Sequence, residues 1–352
     1  MTAASEQAPQ NGELPGEGSI SVVVPTYNDV GRIGDALASI VAQTLPPTEI
    51  VVSDDGSDDH TEEFVREFAA RHAGAVPVRY VRLATRSGVV AARNEAIAAA
   101  RGEWIATCDS DDVWAPNKLE RQVAFFHAWR GRRRLALLGT YGYNMNDAKK
   151  IISPAAMGPT SEEQYENVRR QGRIFFVIHS SAFYSRTDFL AVGGYTTEYG
   201  WADDYDFFCR MAERGVVMNL TEPLVYYRKR AGSVQLARFW DQQQGVLRLT
   251  ENQRRRAAGE EPIGSEEFAA RLAAAPLWRR LKRSRQVRGM YYYRVGATQM
   301  VNGRRLRGAC ALLLASLLDM RRVRSGVRNT LRGAVRRVRA RPLDMRPDQR
   351  PG

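Results

Sequence analysis

Two short β-branched runs, Ile20-Ser-Val-Val-Val-Pro25 and Glu49-Ile-Val-Val-Ser-Asp54, flank a segment in which Ile33, Leu37, Ile40 and Val41 recur at helical spacing. This pairing constrains the fold more than any other feature. Apolar runs that are too short for a helix and lack polar alternation read as strands buried on both faces, the kind found in parallel sheets. The alternation continues with a helix over about 60–73, a strand over about 77–83, a helix over about 88–101 and a strand over about 103–108. Strands alternating with helices imply right-handed crossovers, hence an α/β unit whose mostly parallel sheet is covered on both faces.

Further along, Pro116 precedes a helix over 117–129, and a strand follows over 135–140. Residues 141–172 contain Pro154, Gly158 and Pro159 and read as a long functional loop. A strand over about 174–184, a helix over 203–214 and two short strands ending at Tyr227 complete the unit. The division expected from this pattern is a disordered leader over 1–18, a catalytic domain over 19–235, a helical extension over 236–320 and a basic tail over 321–352. In the extension, 291–302 and 304–318 read as a helical hairpin turning at Gly303, with packing on the preceding domain as its ordinary explanation.

Charge is divided unevenly. Residues 1–230 carry 25 basic and 30 acidic side chains, and residues 231–352 carry 27 and 9, so the net +13 belongs to the C-terminal part. Cys108, Cys209 and Cys310 are too far apart for a disulfide framework or a cysteine-based zinc site, which suits a reducing cytoplasm. The N-terminus has neither a basic start nor an apolar core of the kind a signal peptide needs. The longest apolar run, Ala309–Leu318, is far short of the roughly 18–20 residues that span a bilayer.

In open α/β sheets ligands bind beyond the carboxyl ends of the strands. The residues that follow these predicted strands are Pro25-Thr-Tyr27-Asn28, Asp54-Asp55-Gly-Ser-Asp58 and Asp109-Ser-Asp111-Asp112. Ser57 and Asp58 read first as helix caps. That explanation does not reach Asp109 and Asp111, because Asp112 or Asn117 can cap the next helix without them. Two carboxylates two residues apart at a strand end direct hard oxygen ligands to one point, which suits Mg2+ or Mn2+ bound together with substrate phosphates.

The segments VVVPTYND (22–29), SIVAQTLPPTEIVVSDDGSDD (39–59), RSGVVAARNEAI (86–97), GEWIATCDSDDVWAPNKL (102–119) and GGYTTEYGWADDYDFFCRMAERG (193–215) make the first 230 residues resemble a family 2 glycosyltransferase with the GT-A fold. The resemblance implies that Pro25 and Tyr27 border and stack on a nucleotide base. It further implies that Asp55 bonds the base or ribose and that Arg86 is a further nucleotide contact. Asp109 falls at the ribose or metal region, and Asp111 ligates the divalent ion through the donor diphosphate. Asp204 matches the general base, Asp203 the acid that usually precedes it, and Asp206 a capping or supporting group. His179 falls on the acceptor side, where a buried, satisfied strand histidine is an equal reading. Where the family often carries a metal-completing histidine, this chain has Arg230, which can pair with phosphate but cannot ligate a metal.

The chemistry implied is transfer of one sugar from a nucleotide-diphospho-sugar to a hydroxyl of a cell-surface glycan or lipid-linked acceptor. The ion stabilises the leaving group, and one carboxylate base with direct displacement gives inversion. Gln235, Arg238 and Trp240 approximate the signature of processive synthases with one residue too many, and that activity is set aside. In the tail, Val323, Val327, Leu331 and Val335 recur beside Arg324, Arg328, Arg332 and Arg336. This is either a helix on an anionic membrane surface, which would put the protein at the inner face of the plasma membrane, or a solvated tail. Two rival classes fit less well. A nucleic-acid-binding protein is opposed by the acidic strand ends, and no nucleic acid is expected as a partner. A sugar nucleotidyltransferase or dehydrogenase is opposed by the lack of a glycine-rich phosphate loop after the first strand.

Overall fold

The computed structural model describes residues 18–230, 237–301 and 303–319. The alternation of the first hundred residues is realised nearly as read. Strand β1 (Ile20–Thr26) leads through helix α1 (Val30–Val41) to β2 (Glu49–Asp54), then through α2 (Thr61–His72) to β3 (Val78–Arg82), and through α3 (Val89–Ala99) to β4 (Trp104–Thr107). Strands β1, β2 and β4 are buried along their whole length, as unbroken apolar runs require. Helix α1 inserts Ile33, Ala36, Leu37 and Ile40 against the sheet, the stripe its spacing announced.

The chain continues as β5 (Val113–Trp114), α4 (Lys118–Ala128), β6 (Leu135–Met145), β7 (Ile151–Ala155), α5 (Glu162–Arg170), β8 (Phe183–Ser185), α6 (Arg186–Ala191), α7 (Asp203–Arg214) and β9 (Val216–Arg228). The sheet order is β3-β2-β1-β4-β8-β6-β9-β5, with β7 added on β6. Pairings β1·β2, β2·β3, β1·β4 and β6·β9 are parallel, whereas β8 runs antiparallel to both β4 and β6. The chain leaves β1 toward β2 on one side and returns to β4 on the other, so a topological switch point lies between the carboxyl ends of β1 and β4.

Several expectations are corrected. Residues 141–172 are not one irregular loop. They hold the end of β6, the strand β7 and the helix α5, whose Ser161 side chain caps Gln164 N–H. The apolar stretch 174–184 is not a strand. It is a buried irregular segment with a 3-10 turn at His179–Ser181, followed by the three-residue β8. The two short strands ending at Tyr227 are one 13-residue strand. Ser57 and Asp58 do not cap α2. Ser57 bonds Asp54 Oδ1 and accepts Asn28 N–H, and Asp58 pairs with the Asn28 side-chain amide. Neither Asn117 nor Asp112 caps α4 with its side chain.

The chain divides into two compact units, the first ending at Leu281 and the second beginning at Lys282. Helices α8 (Phe239–Ala257) and α9 (Ser265–Ala274) therefore belong with the sheet, and the boundary does not fall at 235. The reason is local packing. Gly245 of α8 lies so close to the Tyr199 carbonyl that an added Cβ would meet it at 2.0 Å. The Arg248 guanidinium sits 4.4 Å over the Tyr199 ring and pairs with Glu198 at 2.7 Å. Asn252 donates to Tyr199 OH at 2.9 Å. Helix α8 thus braces the 198–202 turn from which α7 springs. In the second unit, the rest of α10 (Leu277–Val301) turns at Gly303, whose φ of +80° favours glycine, into α11 (Arg305–Leu318). The expected tail over 321–352 lies outside the described residues, as does Gln235.

Candidate active site

The residues singled out after β4 and at the start of α7 are joined by Arg93 of α3 and by the 179–181 turn, and those after β1 and β2 follow the neighbouring strands of the sheet. At the end of β4, Asp109 donates its N–H to Ser180 Oγ at 3.0 Å, and its carboxylate contacts His179 Nδ1 at 3.0 Å and Arg93 at 3.5 Å. Burial alone would raise the Asp109 pKa. The adjoining His179 ring and Arg93 outweigh it and hold the carboxyl well below the usual range. His179 is buried and satisfied on both nitrogens, with Tyr195 OH 3.0 Å from Nε2. This favours the structural reading of His179, although on a turn and not on a strand.

Asp111 differs from its neighbour. Burial raises its pKa to about 6; nearby Arg230 opposes the shift, and the charges of Asp109 and Asp29 add to it. Arg230 Nε lies 3.1 Å from Asp111 Oδ2 and its Nη1 lies 3.7 Å from Asp29. Asp112 is fully buried, accepts from Ser180 Oγ and from Arg228 N–H at 2.8 Å, and is pushed well above the ordinary carboxyl range by burial and by Asp111 and Asp109. Arg228 in turn donates Nε–H to the Asp111 carbonyl at 2.7 Å. The DSDD turn is thereby fixed from both sides, by Ser180 and by the end of β9.

Four carboxylates, Asp29, Asp109, Asp111 and Asp112, crowd this turn. Among the described residues no group of three or more His, Cys, Asp or Glu side chains converges as a metal cage. Fewer than three such side chains therefore converge at any one point among the described residues. That suits Mg2+ or Mn2+, which take few protein ligands and complete their shell with phosphate oxygens and water.

On the β1 and β2 side, the Arg86 guanidinium stacks 4.1 Å over the Tyr27 ring. Asp55 is buried and accepts Ser87 N–H at 2.6 Å and Gly88 N–H at about 3 Å. Its carboxylate thereby holds the 86–88 loop that carries Arg86 to the rim. Pro25 lies within β1, paired in register with Ser53 of β2.

At the start of α7, Asp203 is buried against Arg93, which also reaches Asp109. Asp204 accepts Tyr205 N–H at 2.9 Å, and burial together with the Asp203 charge raises its pKa to about 7. A carboxylate with that affinity for a proton is suited to general-base work near neutrality. Asp206 points away from this group, to Thr196 at 3.1 Å and Arg210 at 2.9 Å, in a supporting role. Sequence reasoning missed Arg93 and Arg228. Both lie in segments where an arginine reads as solvated, and no spacing marks them as buried.

Residues 21–193 match the family model described as Glycosyl transferase family 2. The chain carries a family 2 glycosyltransferase domain. One relative, the UDP-Glc:alpha-D-GlcNAc-diphosphoundecaprenol beta-1,3-glucosyltransferase WfgD of Escherichia coli, is 36% identical over 105 residues, 30% of this chain and 40% of its own length. Another, the putative teichuronic acid biosynthesis glycosyltransferase TuaG of Bacillus subtilis, is 35% identical over 106 residues, 30% and 41% of the two chains. The chain thus spans about two fifths of the length of these relatives. The mannosyltransferase PcManGT of Pyrobaculum calidifontis, solved with GDP-Man and Mn2+, superposes with a TM-score of 0.51 over 91% of this chain and 87% of its own, at 20% identity. The glycosyltransferase domain therefore has the GT-A fold. Among the described residues no helix is long and apolar enough to cross a membrane.

Proposed function

We propose that the protein transfers one sugar from a nucleotide-diphospho-sugar to an acceptor hydroxyl, with inversion and with a divalent cation. One observation carries this reading: Arg93 ties the acidic end of β4 to the acidic start of α7, which supports a diphosphate-binding turn and a base acting on one substrate. Asp111, helped by Asp109, would hold Mg2+ or Mn2+, and the bound ion supplies charge stabilisation to the departing diphosphate. Arg230 is poised to exchange its Asp111 contact for a phosphate oxygen. Tyr27 and Arg86 border the base, and Asp55 supports them through the 86–88 loop. Asp204 takes the proton of the attacking hydroxyl, which is a poor nucleophile while protonated. A single base on the acceptor side gives inversion, since retention through a covalent intermediate needs a second carboxylate as nucleophile.

The acceptor in this reading is a glycan or a lipid-linked sugar at the inner face of the plasma membrane. The name of the Escherichia coli relative, which includes a diphosphoundecaprenol acceptor, supports it. The test is a thermal-shift screen of UDP-, dTDP- and GDP-sugars with and without Mn2+, followed by assay of the stabilising donor with lipid-linked and soluble glycans. Donor stabilisation that needs the ion, and a product of inverted anomeric configuration, are expected. A donor bound equally well after chelation would overturn the cation assignment, and a retained configuration would overturn the single-base mechanism.

A further inference from the structure

The second compact unit is built inside out. In α11 the residues buried against the other arm of the hairpin are small: Gly308, Ala311 and Ala315. Close approach explains why, because a Cβ on Gly296 would meet Leu312 at 2.7 Å and the Gly308 carbonyl at 3.0 Å, and a Cβ on Gly308 would meet Met300. Leu312 and Leu318 are half-buried toward the other arm, and the remaining leucines are left on the opposite face. Leu306 is 85% exposed, Leu313 64% and Leu317 68%, with Leu314 and Cys310 also exposed among them. At 100° per residue, positions 306, 310, 313 and 317 fall within one narrow stripe. Isolated exposed leucines are ordinary, but a contiguous stripe of them marks an interaction surface.

The charge around the stripe identifies the partner. Residues 282–319 contain eight Lys and Arg and a single acid, Asp319, and Arg305 and Arg307 are exposed at the head of the leucine stripe. The same spacing could in principle seam two copies of α11. That seam would span only two heptads in a 14-residue helix, short for a stable coiled coil, and would bring two strongly cationic hairpins together. An anionic bilayer satisfies both features at once, accepting leucines below the headgroups and arginines among the phosphates.

We infer that the Leu306–Leu317 face of α11 is a membrane-docking surface that lies in the interface of an anionic lipid bilayer. It is distinct from the expected tail over 321–352 and does not depend on the assignment of the active site. The full-length chain is sedimented with vesicles of phosphatidylcholine containing phosphatidylglycerol, and with vesicles of phosphatidylcholine alone. The double substitution Leu313→Gln, Leu317→Gln keeps charge and helix content, so it should lower partitioning onto the anionic vesicles by about tenfold or more and remove the part that survives high salt.

A second readout needs no change to the leucines. Cys310 is the exposed one of the three cysteines, so an environment-sensitive fluorophore on its thiol should shift to the blue with anionic vesicles and be quenched by spin-labelled lipid. A label that stays water-like, or a double variant that binds like the parent, overturns the proposal. So does a parent chain that is dimeric without lipid and becomes monomeric in the double variant. Donor-dependent thermal shifts should be the same in parent and variant, so failure here leaves the catalytic reading untouched.

Discussion

Arg93 and Asp203 form a buried ion pair across 110 residues of sequence, joining α3 to the first residue of α7. The same guanidinium reaches Asp109 at 3.5 Å, so one side chain sets the distance between the acidic end of β4 and the helix that presents Asp204. Burial would weaken the charged form of Arg93, but Asp203 and Asp109 outweigh it and raise its pKa.

Arg93→Lys is therefore not a mild change. An ammonium cannot serve two carboxylates with a planar fork, and breaking a buried pair leaves an uncompensated charge that costs roughly 3–5 kcal/mol. Arg93→Lys and Arg93→Met should both lower kcat by about a hundredfold or more, with a smaller effect on donor KM. Steady-state kinetics on the identified donor checks this, and a kcat within a factor of about three of the parent would show that Arg93 does not position α7.

Asp204 carries a pH signature. As a base it must be deprotonated, so kcat should rise tenfold per unit below about 7 and level off above it. The effect on stability has the opposite sign. The folded protein holds this proton up to about 7 and the unfolded chain only up to about 3.8, so the contribution of Asp204 to stability falls as pH rises through that window. Asp204→Asn should abolish transfer, leave donor-induced thermal shifts intact, and melt at a higher temperature than the parent at pH 8 but not at pH 4. Equal melting differences at both pH values would mean that the carboxyl is not shifted.

Asp111→Asn should remove the cation-dependent part of donor binding and leave the cation-independent part. Arg230→Ala should weaken donor binding through the lost diphosphate contact, by about tenfold, without removing the dependence on Mn2+. Titration of the donor with and without chelator separates the two. If Asp111→Asn still shows full stimulation by Mn2+, the ion is held elsewhere.

How far the sequence could be read depended on the type of signal. Helix α7 was legible to the residue at both ends, because Phe207, Phe208 and Met211 keep a helical period after three acids. The end of β4 was legible because its apolar run stops at an acidic turn. The 174–184 stretch was not. FFVIHSSAFYS is as apolar and β-prone as a strand, yet its backbone is satisfied from outside a ladder. Ser181 Oγ bonds the Ile178 carbonyl, Gln122 the Ser181 carbonyl and Thr107 the His179 carbonyl. Gln122 and Thr107 come from distant positions, and such partners leave no local period. Arg93 and Arg228 were hidden for the same reason.

Lys118 gives the last prediction. It is fully buried on α4, donates to Gln122 Oε1 at 2.8 Å and sits 3.7 Å over the Trp114 ring. Trp114 Nε1–H bonds the Ser180 carbonyl at 2.7 Å, and Ser180 holds Asp109 and Asp112. Desolvation lowers the Lys118 pKa from 10.5 to about 7. Between those values the unfolded chain binds a proton that the folded protein does not, so this lysine makes the protein more stable as pH rises, by up to about 1.4 kcal/mol per unit. Lys118→Met has no such slope. Its unfolding free energy should exceed the parent's most below about pH 7 and lose that advantage steadily toward about pH 10. Chemical denaturation across that range checks it. An unchanging difference would mean that the amine stays protonated over Trp114, as a structural cation beneath the β4 turn.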